Sequence, residues 1–400
     1  MSGTEIFFWY GILALTHLFL QINFAHAEYL NSARKGRKKT DIINNPSAAI
    51  IIPFYNEGYK ELKSCISSAL KQAYNGRLVV IAIDDGSKDP VVSERIKEIF
   101  REEIGLGKLI VKRFEKNEGK RHVQKEAFDI LGNTVDIIIT IDSDTIMKKN
   151  ATKYLMENFN DPEVGAMTGD VEVIKKKKLD ILIAKRYWAA FNQERAAQSL
   201  FGTVLCCSGP LAAYRNTIIQ KIKEKYINQF FLGTRCTYGD DRHLTNLVLT
   251  EGYKVKYDSR AKARTFVPPT IKLWIRQQQR WSQSFYRELL WTGKMIFNNP
   301  RKAHPYMIYD MSMQFILPFF LLGALVVVLY NAITISYLYA LGYLAMVLGV
   351  AMLRGFYAFM RTGDKSFFLL TLYALLHVTL LIPVRLTAIA TLKSTKWGTR

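Results

Sequence analysis

The chain has 400 residues, more than a single hydrophobic core usually supports, so two or more structural units are expected. Forty-nine per cent of the residues are hydrophobic, yet 55 Lys and Arg against 34 Asp and Glu leave a formal charge of +21. Apolar residues pool at the two ends and charges between them, which excludes a uniformly soluble enzyme. The basic excess suits anionic membrane lipid, a phosphate-bearing donor or a polyanionic product, and without an accompanying motif it does not indicate nucleic acid.

In chain order, residues 6–24 form an apolar run just long enough to cross a bilayer, without the basic start of a signal peptide. Arg34, Lys35, Arg37, Lys38 and Lys39 follow, so the rule that basic flanks stay inside places the next unit in the cytoplasm. Residues 1–47 are thus expected to be a membrane anchor and a basic linker. From residue 48 the pattern changes. Residues 48–53, 78–83, 109–114 and 137–141 are Ile- and Val-rich runs without alternation, as in strands buried on both faces of a parallel sheet. Residues 60–72 and 92–101 are long enough for crossover helices. An α/β domain over residues 48–270, with a mostly parallel sheet and helices on both faces, is expected.

Residues 271–309 follow as amphipathic interface helices, with Trp274, Trp281, Phe285, Leu289 and Trp291 on their less polar side. The last unit, residues 310–400, holds three apolar blocks at 311–330, 333–353 and 367–382. Arg354, Arg361 and Lys365 mark the loop between the second and third as cytoplasmic. The third block is short and meets Pro383, so it is expected not to span. Residues 386–392 beyond it, with Arg385 and Lys393 at their edges, suit an interfacial helix, and the C-terminus then stays on the cytoplasmic side. The four cysteines, Cys65, Cys206, Cys207 and Cys236, lack metal-site spacing and read as reduced thiols.

Five short motifs carry chemistry. Asp84-Asp85-Gly86-Ser87 follows the second strand, where carboxylates face the crevice of an open sheet and can accept from a uracil or a ribose. A type I turn also favours these residues. Asp142-Ser143-Asp144 ends the fourth strand, and alternation leaves both carboxylates on one side. Two hard oxygen ligands there suit Mg²⁺ or Mn²⁺, the rest of the shell coming from a diphosphate. Between these pairs, Lys120 and Arg121 next to the flexible Gly119 can reach a diphosphate. Gly239-Asp240-Asp241-Arg242 offers a general base and a positioning carboxylate for sugar transfer with inversion. In Gln277-Gln278-Gln279-Arg280-Trp281, Gln277 shares a helical face with Arg280 or Trp281. Arg280 can bind a diphosphate and the Trp281 indole can stack on a sugar ring, although glutamines beside Trp also occur in plain interface packing.

Taken together and in this order, these motifs resemble the processive family-2 glycosyltransferases, the cellulose, chitin and hyaluronan synthases. Longer strings, Glu194 to Ser199, Cys207-Ser208-Gly209-Pro210-Leu211, Gly239 to Thr245 and Trp397-Gly398-Thr399-Arg400, are similar to bacterial hyaluronan synthases. The resemblance covers nearly the whole chain from residue 48, although those bacterial members usually carry two N-terminal spans where this sequence shows one. It implies a plasma (inner) membrane, multi-pass enzyme with its catalytic domain in the cytoplasm. UDP-N-acetylglucosamine and UDP-glucuronic acid would be its donors, a nascent polysaccharide its acceptor and product, and membrane lipid its surroundings. Asp84 and Asp85 would hold the uridine, with Lys120 and Arg121 beside the nucleotide. Asp142 and Asp144 would frame the metal, with Asp142 also on the donor. Asp241, with Asp240, would be catalytic. Gln277 and Arg280 would serve the donor, and Cys207, Ser208, Gly209 and Trp281 the acceptor. Trp397 and Arg400 would belong to a gating loop. A chitin-type synthase using UDP-N-acetylglucosamine alone is the alternative. The stretch Asp240-Asp241-Arg242, more often Glu-Asp-Arg there, favours the two-sugar polymer.

Overall fold

The computed structural model describes residues 3–37, 45–298, 300 and 303–395. The four unalternating runs form β1 (Ala48–Phe54), β2 (Leu78–Asp84), β3 (Leu109–Arg113) and β4 (Ile137–Thr140), paired in parallel in the order β3-β2-β1-β4. Every residue of β1 and β4 is buried, which is why neither alternates. Ile50 stands between Val80 and Ile139 in the register. Helices Tyr59–Leu70 and Lys120–Leu131 turn their apolar faces, Leu62, Ile66, Val123 and Phe128 among them, into the same core.

Beyond β4 the sheet becomes mixed. β4 pairs antiparallel with β7 (Ala212–Arg215), β7 antiparallel with β6 (Val164–Val173), and β6 parallel with β10 (Lys254–Thr265). The two-residue β5 (Ile146–Met147) closes that edge, and a separate hairpin joins β8 (Phe230–Phe231) to β9 (Thr234–Arg235). In such an order the chain leaves β1 on one side and returns on the other, so a crevice opens at the carboxyl ends of β1 and β4. Asp84-Asp85 and Asp142-Ser143-Asp144 follow strands that end there.

Helix Gly3–Arg37 precedes the sheet, and Ile271–Asn298, Pro305–Thr334 and Leu338–Thr362 follow it. The last helical segment has a 3₁₀ turn (Lys365–Leu369), an α-helix (Leu370–Leu376), a π turn (His377–Leu381) and a final α-helix (Ile382–Ala390). Among the described residues, Phe8–Arg34, Pro305–Thr334, Leu338–Thr362 and Lys365–Ala390 are long and apolar enough to cross a membrane, with mean hydropathy of 1.3 to 2.4. Tyr10, Leu321, Ala324, Val347 and Ile382 pack these helices together, while Phe19, Tyr330, Ile333 and Met360 stay exposed on the outside.

The expected break at Pro383 does not occur. The proline lies in the first turn of Ile382–Ala390, directly after the π turn His377–Leu381, and the helical segment runs through it to 26 residues. Both of its ends nevertheless dock on the sheet-bearing unit and its amphipathic helix. Before it, Asp364 accepts from Lys185 at 2.5 Å. After it, the Leu392 and Ser394 carbonyls accept from the Arg287 guanidinium, with Nε to Leu392 at 2.8 Å and Nη2 to Ser394 at 2.7 Å. Gln283 donates to the Thr391 carbonyl at 3.0 Å, Tyr238 to that of Ser394 at 2.9 Å and Thr237 to that of Thr395 at 2.7 Å.

Candidate active site

Asp85 is set by the turn after β2. Its carboxylate accepts from the Glu118 N–H at 2.8 Å, the Gly119 N–H at 3.0 Å and Asn117 Nδ2 at 2.9 Å, so it ties the 117–119 loop to the strand end. Burial raises its pKa against the pull of those two N–H groups. It lines a cavity of about 1190 Å³ at the carboxyl edge of the sheet. Asp84 does not. The structure places this residue away from the cavity: it is fully buried and accepts from Ser87 N at 2.9 Å and Ser87 Oγ at 2.6 Å, with Arg113 Nε 3.3 Å away. Its role is to shape the turn that presents Asp85.

Asp142, Ser143 and Asp144 all line the cavity. Asp142 Oδ1 accepts from Lys120 Nζ at 2.7 Å, and the same ammonium pairs with Asp240 Oδ2 at 2.8 Å. Lys120 therefore joins two motifs far apart in the sequence, that of Asp142 and that of Asp240, by a single cation. Burial works against that charge, yet the two carboxylates raise its pKa. Arg121, expected beside the nucleotide, points the other way. It is buried and donates to the Tyr226 and Tyr238 carbonyls at 3.3 and 3.1 Å. Neighbours at a helix start differ by about 100° in direction, so only one can enter the cavity.

The carboxylates suit a divalent ion only in part. Asp144 Oδ1 accepts from Thr265 Oγ1 at 3.2 Å, and a Cβ at Gly209 would stand 3.0 Å from Asp142 Oδ2. Room beside that oxygen is thus kept by the absence of a side chain. Among the described residues no three His, Cys, Asp or Glu side chains converge as a metal site. The residues fit an ion that brings most of its oxygen shell from a diphosphate.

Gly239 adopts φ +82, and a Cβ there would come within 2.1 Å of Ser284 Oγ, so the turn requires glycine. It places Asp240 and Asp241 in the first turn of helix Asp240–Thr250, where the helix dipole favours carboxylates. Their environments then separate them. For Asp240 burial is outweighed by Lys120, which lowers its pKa. Asp241 is raised, first by burial and next by the charge on Asp240. Asp241 Oδ1 accepts from the Arg242 N–H at 2.8 Å, and Cys206 Sγ lies 3.5 Å from Oδ2. Burial and then Asp241 push the Cys206 thiol up to about 12, so it remains a neutral, weak donor.

Of the residues expected to meet an acceptor, one is placed away from the cavity. Cys207 is fully buried and its N–H donates to Thr245 Oγ1 at 2.9 Å, whereas Cys206, Ser208 and Gly209 line the cavity. Arg195, not singled out from the sequence, holds this loop by donating to the Cys206 carbonyl at 3.0 Å and to Ser208 Oγ at 2.9 Å. Its only signal was membership of the Glu194 to Ser199 string. Across the cavity, Gln277, Arg280 and Trp281 project from helix Ile271–Asn298. Trp281 is 43% exposed, with Tyr187 at 6.4 Å between ring centroids, which leaves an aromatic face open. Trp397 and Arg400 lie outside the described residues; Thr395, just before them, lines the cavity.

Comparison with known proteins agrees with this geometry. Residues 49–223 match Glycosyl transferase family 2, and residues 137–389 match Glycosyl transferase family group 2. The chain is therefore a membrane glycosyltransferase of family 2. The mannosyltransferase PcManGT of Pyrobaculum calidifontis, solved with GDP-Man and Mn²⁺, shares its fold: TM-score 0.57 over 92% of this chain and 98% of that one, at 18% identity. Hyaluronan synthase 3 of Mus musculus is 34% identical, and hyaluronan synthase 2 of Homo sapiens 33%, over 98% of this chain and 76% of each relative. At that identity and coverage, this chain belongs to the hyaluronan synthase family.

Proposed function

We propose that this chain polymerises N-acetylglucosamine and glucuronic acid in alternation from UDP donors and passes the polymer through its own membrane helices. The observation that carries the reading is the half-buried Asp241 carboxylate in the same cavity as the Asp142–Asp144 pair and Trp281. Asp85 is suited to the uridine, and Gln277 and Arg280 to the diphosphate. Trp281 and the wall of Cys206, Ser208 and Gly209 would hold the acceptor sugar. Its hydroxyl oxygen attacks the anomeric carbon, Asp241 takes the hydroxyl proton, and the bond from that carbon to the UDP oxygen breaks with inversion. Mg²⁺ or Mn²⁺ at Asp142 and Asp144 would neutralise the charge that develops on the leaving diphosphate. Asp240, held ionised by Lys120, keeps Asp241 protonatable rather than competing for the proton.

Residues 48–270 would be the catalytic unit, 271–309 its interfacial collar, and 1–47 with 310–400 the membrane part. The catalytic side would face the cytoplasm of a plasma membrane, in contact with lipid. The same cavity reaches Tyr10, Leu321 and Val347 on the membrane helices, which supports a continuous path from the reacting sugar to the bilayer. Incorporation of labelled sugar into polymer by membranes, with each UDP donor omitted in turn, tests the reading. Polymer is expected only when both donors are present. Equal polymer from UDP-N-acetylglucosamine alone would replace it with a chitin-type synthase.

A further inference from the structure

Deeper in the cavity, three arginines surround one carboxylate. Arg186 on helix Lys178–Ala189 pairs with Glu194 through Nη1 at 3.0 Å and Nη2 at 3.1 Å. Arg354, on the apolar helix Leu338–Thr362, reaches Glu194 only at 3.8 Å, and its Nε is buried without a hydrogen-bond partner. Arg385, on Ile382–Ala390, has no hydrogen bond or ion pair among the described residues, although it lies within electrostatic reach of Arg186 and Glu194. All four side chains line the cavity. The cluster thus carries two positive charges more than Glu194 balances. A guanidinium cannot shed its proton, and an unpaired cation on a membrane helix is costly to keep. Such an arrangement calls for an anion supplied from the cavity.

We propose that Arg354 and Arg385, with Arg186 held in place by Glu194, form a binding station for the carboxylates of the growing polymer. The inference rests on the uronate-containing product proposed above. A carboxylate matches the fork of a guanidinium with two parallel hydrogen bonds, which a neutral sugar cannot offer. The donor diphosphate is a poorer match. Arg354 and Arg385 stand on helices that contribute no residue to the Asp85 or Asp142–Asp144 end, and their walls are shared with Tyr10, Leu321 and Val347. Each uronate reaching the station would be held there as the next sugar is added, so that the chain is retained between transfers. A lipid phosphate is the other source of similar anionic chemistry, and it enters the test as an outcome against the proposal.

The test uses the full chain in nanodiscs of phosphatidylcholine, a hyaluronan octasaccharide, and the same octasaccharide with its carboxyls converted to methyl esters. Charge-assisted hydrogen bonds of this kind predict that the acid binds about tenfold more tightly than the ester. R354Q and R385Q should each bring the two affinities together and shorten the polymer made, whereas R385K, which keeps the cation, should retain most of the preference. UDP binding by the same samples reports that the variants are folded. Equal affinity for acid and ester in the unmodified chain overturns the proposal, as does an undiminished preference in both glutamine variants. Loss of the preference when phosphatidylglycerol replaces part of the lipid assigns the cluster to a headgroup and also overturns it. The donor-omission assay decides the proposed reaction separately: a chain that needs both donors yet shows no acid preference refutes only the station.

Discussion

Asp241→Asn is the substitution with the sharpest expected outcome. The amide has the shape of the carboxylate, and its oxygen can still accept the Arg242 N–H that Asp241 takes at 2.8 Å. What it loses is the ability to accept a proton from the acceptor hydroxyl. General-base catalysis contributes about 10²–10⁴-fold in rate, so kcat should fall by that factor, equivalent to about 3–5 kcal/mol at the transition state. UDP binding should remain, because Asp85 and the 117–119 loop share no hydrogen bond with Asp241. Initial rates of labelled-sugar incorporation, beside equilibrium binding of UDP to the same preparation, separate these effects. The unmodified chain adds a pH signature. A base with a raised pKa loses activity as pH falls through that value, so the acid limb should lie above the ordinary carboxylate range. Asp240→Asn removes the second cause of the raising and should move that limb to lower pH. Polymer output near normal from Asp241→Asn would refute the assignment of the base, and with it the account of why Asp240 and Asp241 differ.

Three further outcomes are expected. Lys120→Met leaves the Asp142 and Asp240 carboxylates facing each other without their cation, at a cost of about 1–3 kcal/mol for a partly buried pair; an unchanged thermal midpoint would contradict this. Activity should vanish with EDTA and return with Mg²⁺ or Mn²⁺, while Asp144→Ala should stay inactive at ordinary metal concentrations; synthesis without a divalent ion would remove the role given to Asp142 and Asp144. Lys393→Cys should resist a membrane-impermeant thiol reagent on intact cells and react in opened membranes, a clean readout since Cys65, Cys206, Cys207 and Cys236 are all buried. Labelling from outside would put the C-terminal segment on the wrong side of the bilayer for its contacts with Arg287.

The sheet and the ends of its strands were legible because burial on both faces writes itself as an unbroken Ile and Val run, as in Ile50-Ile51-Ile52. The mixed half of the sheet was not, since β7 begins Ala212-Ala213 and β10 carries Lys254, Lys256 and Lys262, too polar or too short to stand out. Within the site, what sequence reasoning could not resolve was which member of an adjacent pair faces inward. Asp85 rather than Asp84, Lys120 rather than Arg121 and Cys206 rather than Cys207 meet the cavity. Residue type is identical or similar within each pair, and the choice falls to a rotation of the backbone that only the packed neighbours fix. The continuity of helix through Pro383 was hidden for a related reason: proline is read as a breaker unless its place in the turn is known.

The docking of residues 391–395 is made mostly through main-chain oxygens, the Thr391 hydroxyl, which accepts from Gln283 at 2.8 Å, being the exception. Arg287, Gln283, Tyr238 and Thr237 address the carbonyls of Thr391, Leu392, Ser394 and Thr395, which every amino acid possesses. Apart from Thr391, the identity of the tail is therefore almost irrelevant to its attachment. Drift in its side chains beyond Thr391 leaves the mooring intact, whereas a change at Arg287 removes the contacts to the Leu392 and Ser394 carbonyls. Information about where the tail belongs is stored in the partner that grips it, not in the tail itself.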